Sequence, residues 1–320
     1  MKRIYFISLL FLYSLSQGAI AEPFKFVAYG DMPYSIPDDY IRYERLIKKI
    51  NQIKPSFTIF VGDTKSGSTP CTDEYNVIVK NYFNQFEAPL IYSVGDNEWT
   101  DCHRPKAGSY DPLERLDKIR SFFFTNDKSF GKKALNLHRQ ADLMPDFNQY
   151  VENSYWIKNG FLFVSLHIPG SNNNFGRNDE STIEYRKRNA ANLAWIDYTF
   201  NLASKQNLAG IIFAFQADMF YSPSQLTDAS SGFRDALNSF IVHSELFEKP
   251  VLLINGDSHR LKIDQPLTSS NKKFVLENVI RLQVMGEDEV QAVEINVDPI
   301  SEQPFSFKPL ILKANSQYRN

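Results

Sequence analysis

VAYGD at 27–31 stops an apolar run on a glycine and an aspartate, and the same ending recurs in TIFVGD (58–63), IYSVGD (91–96) and LLINGD (252–257). Runs of Val, Ile and Phe without polar alternation suit strands covered on both faces. The segments between them carry helical spacing, which predicts an α/β fold with an at least partly parallel sheet. Ligands of such sheets sit beyond the carboxyl ends of the strands. Glycine ahead of each aspartate permits a sharp turn and leaves room beside the carboxylate. The pattern is expected to set Asp31, Asp63, Asp96 and Asp257 at one sheet edge. Carboxylates gathered this closely repel one another unless they share protons or bind a cation. A metal ion is the economical answer, although a single Gly-Asp would read as an ordinary turn.

Working outward, Phe24 to Tyr29 reads as the first strand and Tyr40 to Gln52 as a helix, with Tyr40, Tyr43, Leu46, Ile47 and Ile50 on one face. Phe57 to Val61 and Leu90 to Val94 follow as strands, with a helix over Glu74 to Phe86 between them. Beyond Trp99 come a long loop, a helix over Pro112 to Phe124 and a polar stretch to Asn153, so about 105–153 is expected to be an insertion or cap. Asn159-Gly160 between Tyr155–Lys158 and Phe161–Leu166 signals a hairpin. Helices are expected over Glu184 to Ser204 and Phe233 to Phe247, strands over Gly210 to Phe215 and Val251 to Ile254, and two or three antiparallel strands within Phe274 to Val297. The domain is expected to span 22–300, with 301–320 a loose tail. His138 and His243 fall on expected helices.

Residues 1–21 read as a secretory signal: Lys2 and Arg3, an apolar core from Ile4 to Leu15, and Ala19-Ile20-Ala21 as the cleavage site. The mature chain is then expected in the periplasm or secreted, with no membrane segment. Without Lys2 and Arg3 it carries 33 basic against 37 acidic residues, a balance of −4 that offers nothing to nucleic acid. Two cysteines in an oxidising compartment, Cys71 and Cys102, are expected to pair and pin the loops beside the crevice. The sequence has no G-x-G-x-x-G, no P-loop and no G-x-S-x-G.

The motifs resemble those of the calcineurin-like metallophosphoesterases, two-metal hydrolases that include purple acid phosphatases and many nucleotidases. The family order is G-D-x-H, G-D, G-N-H-(D/E), a lone His after a strand, and G-H-x-H. The matching stretches here are Gly30-Asp31-Met32-Pro33, Gly62-Asp63, Gly95-Asp96-Asn97-Glu98, Gln216 in FAFQAD, and Gly256-Asp257-Ser258-His259. The resemblance implies a sandwich of two mixed β-sheets flanked by helices. It implies that Asp31 and His259 bind one metal, that Asp63 bridges two, and that Asp96, Gln216 and Asp257 face the second. Pro33 stands where the family has a ligating histidine and offers no side-chain ligand. Asn97 stands at the catalytic position of the histidine that contacts the scissile phosphate and helps protonate the leaving group, so that role is vacant or moved. His167 and His103 are the candidates to fill it. Lys65, Arg104 and Arg260 flank the site loops as candidate phosphate-binding cations.

A donor set rich in carboxylate and poor in imidazole suits one or two ions of Mg²⁺ or Mn²⁺ first, Ca²⁺ next, and Zn²⁺ or Fe less. The expected function is metal-dependent hydrolysis of a small phosphomonoester or phosphodiester by a metal-activated water. The alternatives are a degenerate relative that binds a metal or phosphorylated ligand without turnover, a structural protein holding Ca²⁺, and a glycoside hydrolase with paired carboxylates.

Overall fold

The computed structural model describes residues 22–316; the expected signal at 1–21 lies outside them. Five strands form one sheet in the order β12-β11-β1-β2-β3. They are β1 (Phe24–Tyr29), β2 (Thr58–Phe60), β3 (Leu90–Tyr92), β11 (Ala292–Val297) and β12 (Phe305–Leu310). Seven more form a second sheet in the order β4-β5-β6-β7-β8-β10-β9. These are β4 (His138–Arg139), β5 (Ser154–Lys158), β6 (Phe161–Ser165), β7 (Gly210–Ala214), β8 (Val251–Asn255), β9 (Lys262–Asp264) and β10 (Val279–Gln283). Both sheets are mixed: β1, β2 and β3 run parallel, as do β6, β7, β8 and β10, while β11, β12, β4, β5 and β9 pair antiparallel with their neighbours.

The period-two alternation of a strand explains the layering. Phe26 and Ala28 of β1 face a shared core with Phe163 of β6, Ile212 of β7 and Leu252 of β8. Val27 and Tyr29 face the other way, onto helices Asp38–Ile53, Asp73–Phe83 and Pro112–Phe123. On the far side, Leu162, Phe213 and Leu253 pack against helices Asp179–Lys205 and Arg234–Phe247. Each central strand is thus apolar on both faces, which is why its sequence lacks alternation. Aromatic rings fill the seam: Phe57 meets Trp156 edge-on at 5.3 Å, and Phe26 meets Phe163 the same way at 5.3 Å.

Helix ends follow local chemistry. Thr72 Oγ1 accepts from Tyr75 N (3.2 Å), Asp111 Oδ1 accepts from Leu113 N ahead of Pro112, and Asn178 with Ser181 forms a reciprocal cap on Asp179–Lys205.

Several expectations need correction. The Gly-Asp turns do not share one sheet edge: three follow β1, β2 and β3, and the fourth follows β8 of the other sheet. The stretch 274–297 does not form one antiparallel group, because β10 pairs parallel with β8 while β11 crosses to β1. The stretch 301–320 is not simply a tail, since β12 closes one edge of the five-stranded sheet on β11. Pro309 is tolerated there because an edge strand has a free side that needs no donor. His138 lies on β4 rather than on a helix, stacked on Tyr155 at 4.6 Å. Segment 105–153 contributes Leu116, Ile119 and Phe123 to the helical layer of the first sheet.

Candidate metal centre

The carboxyl ends of β1, β2, β3, β7 and β8 converge across the seam. Asp31, Asp63, Asp257 and His259 all adopt left-handed backbone, with φ of 52°, 59°, 71° and 59°. Non-glycine residues in that region are uncommon and strained, and such strain concentrates at functional sites. Two glycines make the close approach possible. A Cβ on Gly95 would overlap Asp63 Oδ1, and one on Gly256 would overlap Asp31 Oδ2.

Asp31, Asp63 and His259 each bring one ligand atom to within 4.8 Å of the others. Asp31 is fully buried, and its two oxygens accept from Asp257 N at 3.0 and 3.1 Å. Asp63 Oδ1 accepts from Asn97 N at 3.1 Å, and its Oδ2 accepts from Asn97 Nδ2 at 2.7 Å and from Tyr34 Oη at 2.8 Å. His259 Nδ1 lies 3.1 Å from Glu287 Oε2. With Nδ1 turned to Glu287, Nε2 is the ring nitrogen that faces the crevice, 3.7 Å from Asp31 Oδ1. A carboxylate fixing the tautomer of a ligating histidine is the usual support of a metal-bound imidazole.

A second group sits beside the first. A Cβ on Gly170 would come within about 3 Å of both Asp96 Oδ1 and Asp257 Oδ1. Asp96 Oδ2 lies 2.7 Å from Ser171 Oγ, and Asp257 Oδ2 accepts from Asp218 N at 2.9 Å. Gln216 turns its Oε1 onto the Gly170 N–H. Two buried carboxylate oxygens, Asp96 Oδ1 and Glu98 Oε2, have no hydrogen-bond partner.

The charge balance is unfavourable for protein alone. Burial, and then Asp257, raises the pKa of Asp31 well above the usual range; burial, and then Asp96, does the same to Asp63. Burial and the neighbouring Asp96 push Asp257 up to about 7, and burial raises Glu98. A divalent cation relieves this repulsion and burial cost, and the donor set, two carboxylates and one oriented imidazole beside orphaned oxygens, fits one.

No protein-family model and no curated protein matches the chain. Solved structures do. PhoD aligns with a TM-score of 0.53 at 10% identity, over 91% of this chain and 69% of its own. A dimetal phosphatase from Danio rerio aligns at 0.51 with 12% identity, over 90% and 99%. GAP50 of Plasmodium aligns at 0.51 with 9% identity, over 90% and 88%. The fold is that of the calcineurin-like metallophosphoesterases.

Within that metallophosphoesterase fold, the structure gathers Asp31, Asp63, Asp96, Gln216, Asp257 and His259 in one crevice, as well as Asn97. The asparagine side chain is committed to Asp63 and Tyr34 Oη, at 2.7 and 3.0 Å. Lys65 is 2% exposed; burial lowers the pKa of its ammonium, against the opposing pull of Glu98 and Asp63. Arg104 is half-exposed and pairs with Asp101 Oδ2 at 2.7 Å. Arg260 is exposed, and its carbonyl accepts from Gln283 Nε2. Cys71 and Cys102 form a disulfide that ties the Lys65 loop to the Arg104 turn.

The two histidine candidates are placed elsewhere. His167 is buried with Nδ1 2.9 Å from Glu152 Oε1 and its ring 5.4 Å from Trp99, and burial pulls its pKa down to about 4. It is neutral at pH 7, held through Nδ1 by Glu152, with Nε2 buried and without a hydrogen-bond partner. His103 is exposed, with Nδ1 2.7 Å from Thr100 O.

Sequence reasoning missed Tyr34, Glu287, Asp101 and Ser171. Tyr34 stands three residues past Asp31 in DMPY, and its phenol lies against Asp63, Asn97 and, at 3.4 Å, His259 Nε2. Only its closeness in sequence to Pro33, the residue that cannot ligate, hinted at a substitute.

Proposed function

We propose that the chain is a metal-dependent phosphoesterase that works outside the cytoplasm on a small monoester or diester. The observation that carries this reading is the Asp31, Asp63 and His259 constellation, with His259 oriented by Glu287, at the strand ends of a metallophosphoesterase fold. Asp31, Asp63 and His259 would hold a first ion, and Asp96, Asp257 and Gln216 would face a second. Mg²⁺ or Mn²⁺ suits this oxygen-rich set best. A bound divalent ion supplies a water nucleophile at neutral pH and neutralises charge on the phosphoryl oxygens.

The residues around it do the rest. Burial, and then the charge of Asp63, raises the pKa of Tyr34, so its phenol stays protonated and donates a hydrogen bond to Asp63 Oδ2. Asn97 orients Asp63 through both oxygens, its side-chain amide on the same Oδ2 and its backbone N–H on Oδ1. Lys65 and Arg104 supply positive charge for the phosphate. The disulfide supports an oxidising compartment, and among the described residues no helix is long and apolar enough to cross a membrane. The net charge disfavours long nucleic acid as substrate.

The test is hydrolysis of p-nitrophenyl phosphate and bis-p-nitrophenyl phosphate by metal-stripped protein with Mg²⁺, Mn²⁺, Ca²⁺ or Zn²⁺ restored. Turnover that needs metal and disappears in Asp63→Asn supports the enzyme. Metal binding without turnover supports the second reading, a binding protein on this fold. Pro33 and Asn97 favour that second reading by removing two working groups, and GAP50, similar in fold, is described as an anchor.

A further inference from the structure

The segment PGSNNN (169–174) departs from every regular element around it. Ser171, Asn172, Asn173 and Asn174 have φ of 45°, 53°, 56° and 63°, one turn of left-handed helix built without glycine. L-residues avoid consecutive left-handed positions, so such a turn persists only where its surroundings over-determine it. They do so here residue by residue. Asn172 Nδ2 donates to Phe175 O and Ser230 O (2.9 and 3.0 Å), and its Oδ1 accepts from Gly232 N at 2.8 Å. Asn173 Nδ2 donates to Gly232 O at 2.9 Å, while its two oxygens accept from Arg188, a fully buried guanidinium itself held by Glu184. Asn174 Nδ2 donates to Glu184 Oε2 at 2.8 Å.

This mount delivers one side chain to the crevice. Ser171 Oγ lies 2.7 Å from Asp96 Oδ2 and 2.7 Å from Asp101 Oδ1, and Asp101 Oδ2 pairs with Arg104 at 2.7 Å. Arg104 Nη2 also comes within 3.4 Å of Ser171 Oγ. One hydroxyl therefore joins a candidate metal ligand to a candidate phosphate-binding cation.

We propose that Ser171 is a positioning residue that couples Asp96 to Arg104, and that the left-handed turn exists to hold its hydroxyl there. The proposal rests on the metal-site reading and goes beyond it. With Ser171 in place, metal held partly by Asp96 and phosphate held by Arg104 are set at one spacing.

The experiment is calorimetric titration of Mn²⁺ into metal-stripped wild type, Ser171→Ala and Ser171→Gly, followed by inorganic phosphate into each Mn²⁺-loaded protein. Both variants are expected to bind Mn²⁺ about tenfold more weakly, as for loss of a group that orients a ligand. Phosphate should weaken with it, while Ser171→Gly, which relaxes the φ of 45°, melts in chelator at the wild-type temperature. If Ser171→Gly matches wild type in both titrations, or if both variants do, the hydroxyl has no such role and the proposal is overturned. A wild type that takes up no Mn²⁺ overturns the metal-site reading and the proposal together, whereas tight wild-type binding with unchanged variants overturns the role of Ser171 alone.

Discussion

Tyr34 places its phenol oxygen 2.8 Å from Asp63 Oδ2, on the oxygen that Asn97 also engages. A hydrogen bond to a charged group contributes about 1.5–3 kcal/mol. Tyr34→Phe is therefore expected to reduce kcat for p-nitrophenyl phosphate by about ten- to a hundredfold at saturating Mn²⁺, with the fold intact by circular dichroism. An unchanged kcat would remove Tyr34 from the site's working groups.

Glu287 acts on the metal only through His259, whose Nδ1 it holds at 3.1 Å. Glu287→Ala frees the ring to rotate and change tautomer, and such losses typically weaken metal binding by about 10- to 100-fold. Glu287→Gln, which can still accept at Nδ1, should recover most of the affinity. Mn²⁺ titration of the two variants side by side gives the comparison; equal weakening in both would show that charge rather than orientation is at work.

His167 gives the fold a built-in acid sensitivity. Burial holds its pKa near 4, against an ordinary value of 6.5 in the unfolded chain, despite the opposing hydrogen bond from Glu152. The unfolded state thus binds the extra proton first. The stabilising effect is complete above pH 6.5 and is lost as pH falls toward 4, by roughly 3 kcal/mol at about 1.4 kcal/mol per tenfold change in proton affinity. The crevice carboxylates of the metal-free protein, raised by burial, titrate in the same window with the opposite sign, so the difference between wild type and His167→Gln in urea unfolding across pH 4–7 isolates the histidine: wild type should lose stability relative to the variant as pH falls. Parallel pH curves for the two proteins would exclude the histidine as the cause.

The disulfide closes a loop with a sequence separation of 31 between Cys71 and Cys102. Loop-closure entropy puts its effect at about 3–4 kcal/mol. The double substitution Cys71→Ser with Cys102→Ser should lower the urea midpoint accordingly, and should weaken phosphate binding, because Lys65 and Arg104 lie on the two tied segments. A lowered midpoint with unaltered phosphate affinity would confine the bridge to stability.

The central strands were legible because burial on both faces leaves unbroken apolar runs, and four of those runs, at β1, β2, β3 and β8, led to a Gly-Asp pair that marked the crevice. β12 was not: Phe305, Ser306, Phe307 and Lys308 alternate over only four residues before Pro309, which reads against a strand and is tolerated only because β12 is an edge on β11. β9 is three residues long with two of them exposed, too short to leave a period. The aspartates announced themselves by a repeated local motif. Glu287 and Asp101 carry none: the first meets His259 across 28 positions and the second meets Ser171 across 70, and such encounters are created by the fold alone. His167 misled because a strand end is where catalytic histidines sit, and nothing nearby in sequence announces the Glu152 and Arg120 charges that enclose it.

Asp31 and Asp63 hang from the five-stranded sheet, while Asp257 and His259 hang from the seven-stranded one. An ion held between them is a rivet through both halves of the sandwich, and its affinity adds to the resistance of the two sheets to parting. Stripping the metal should leave a molecule that breathes along this line, with amides at the ends of β1 and β8 exchanging before those at the far ends of the same strands.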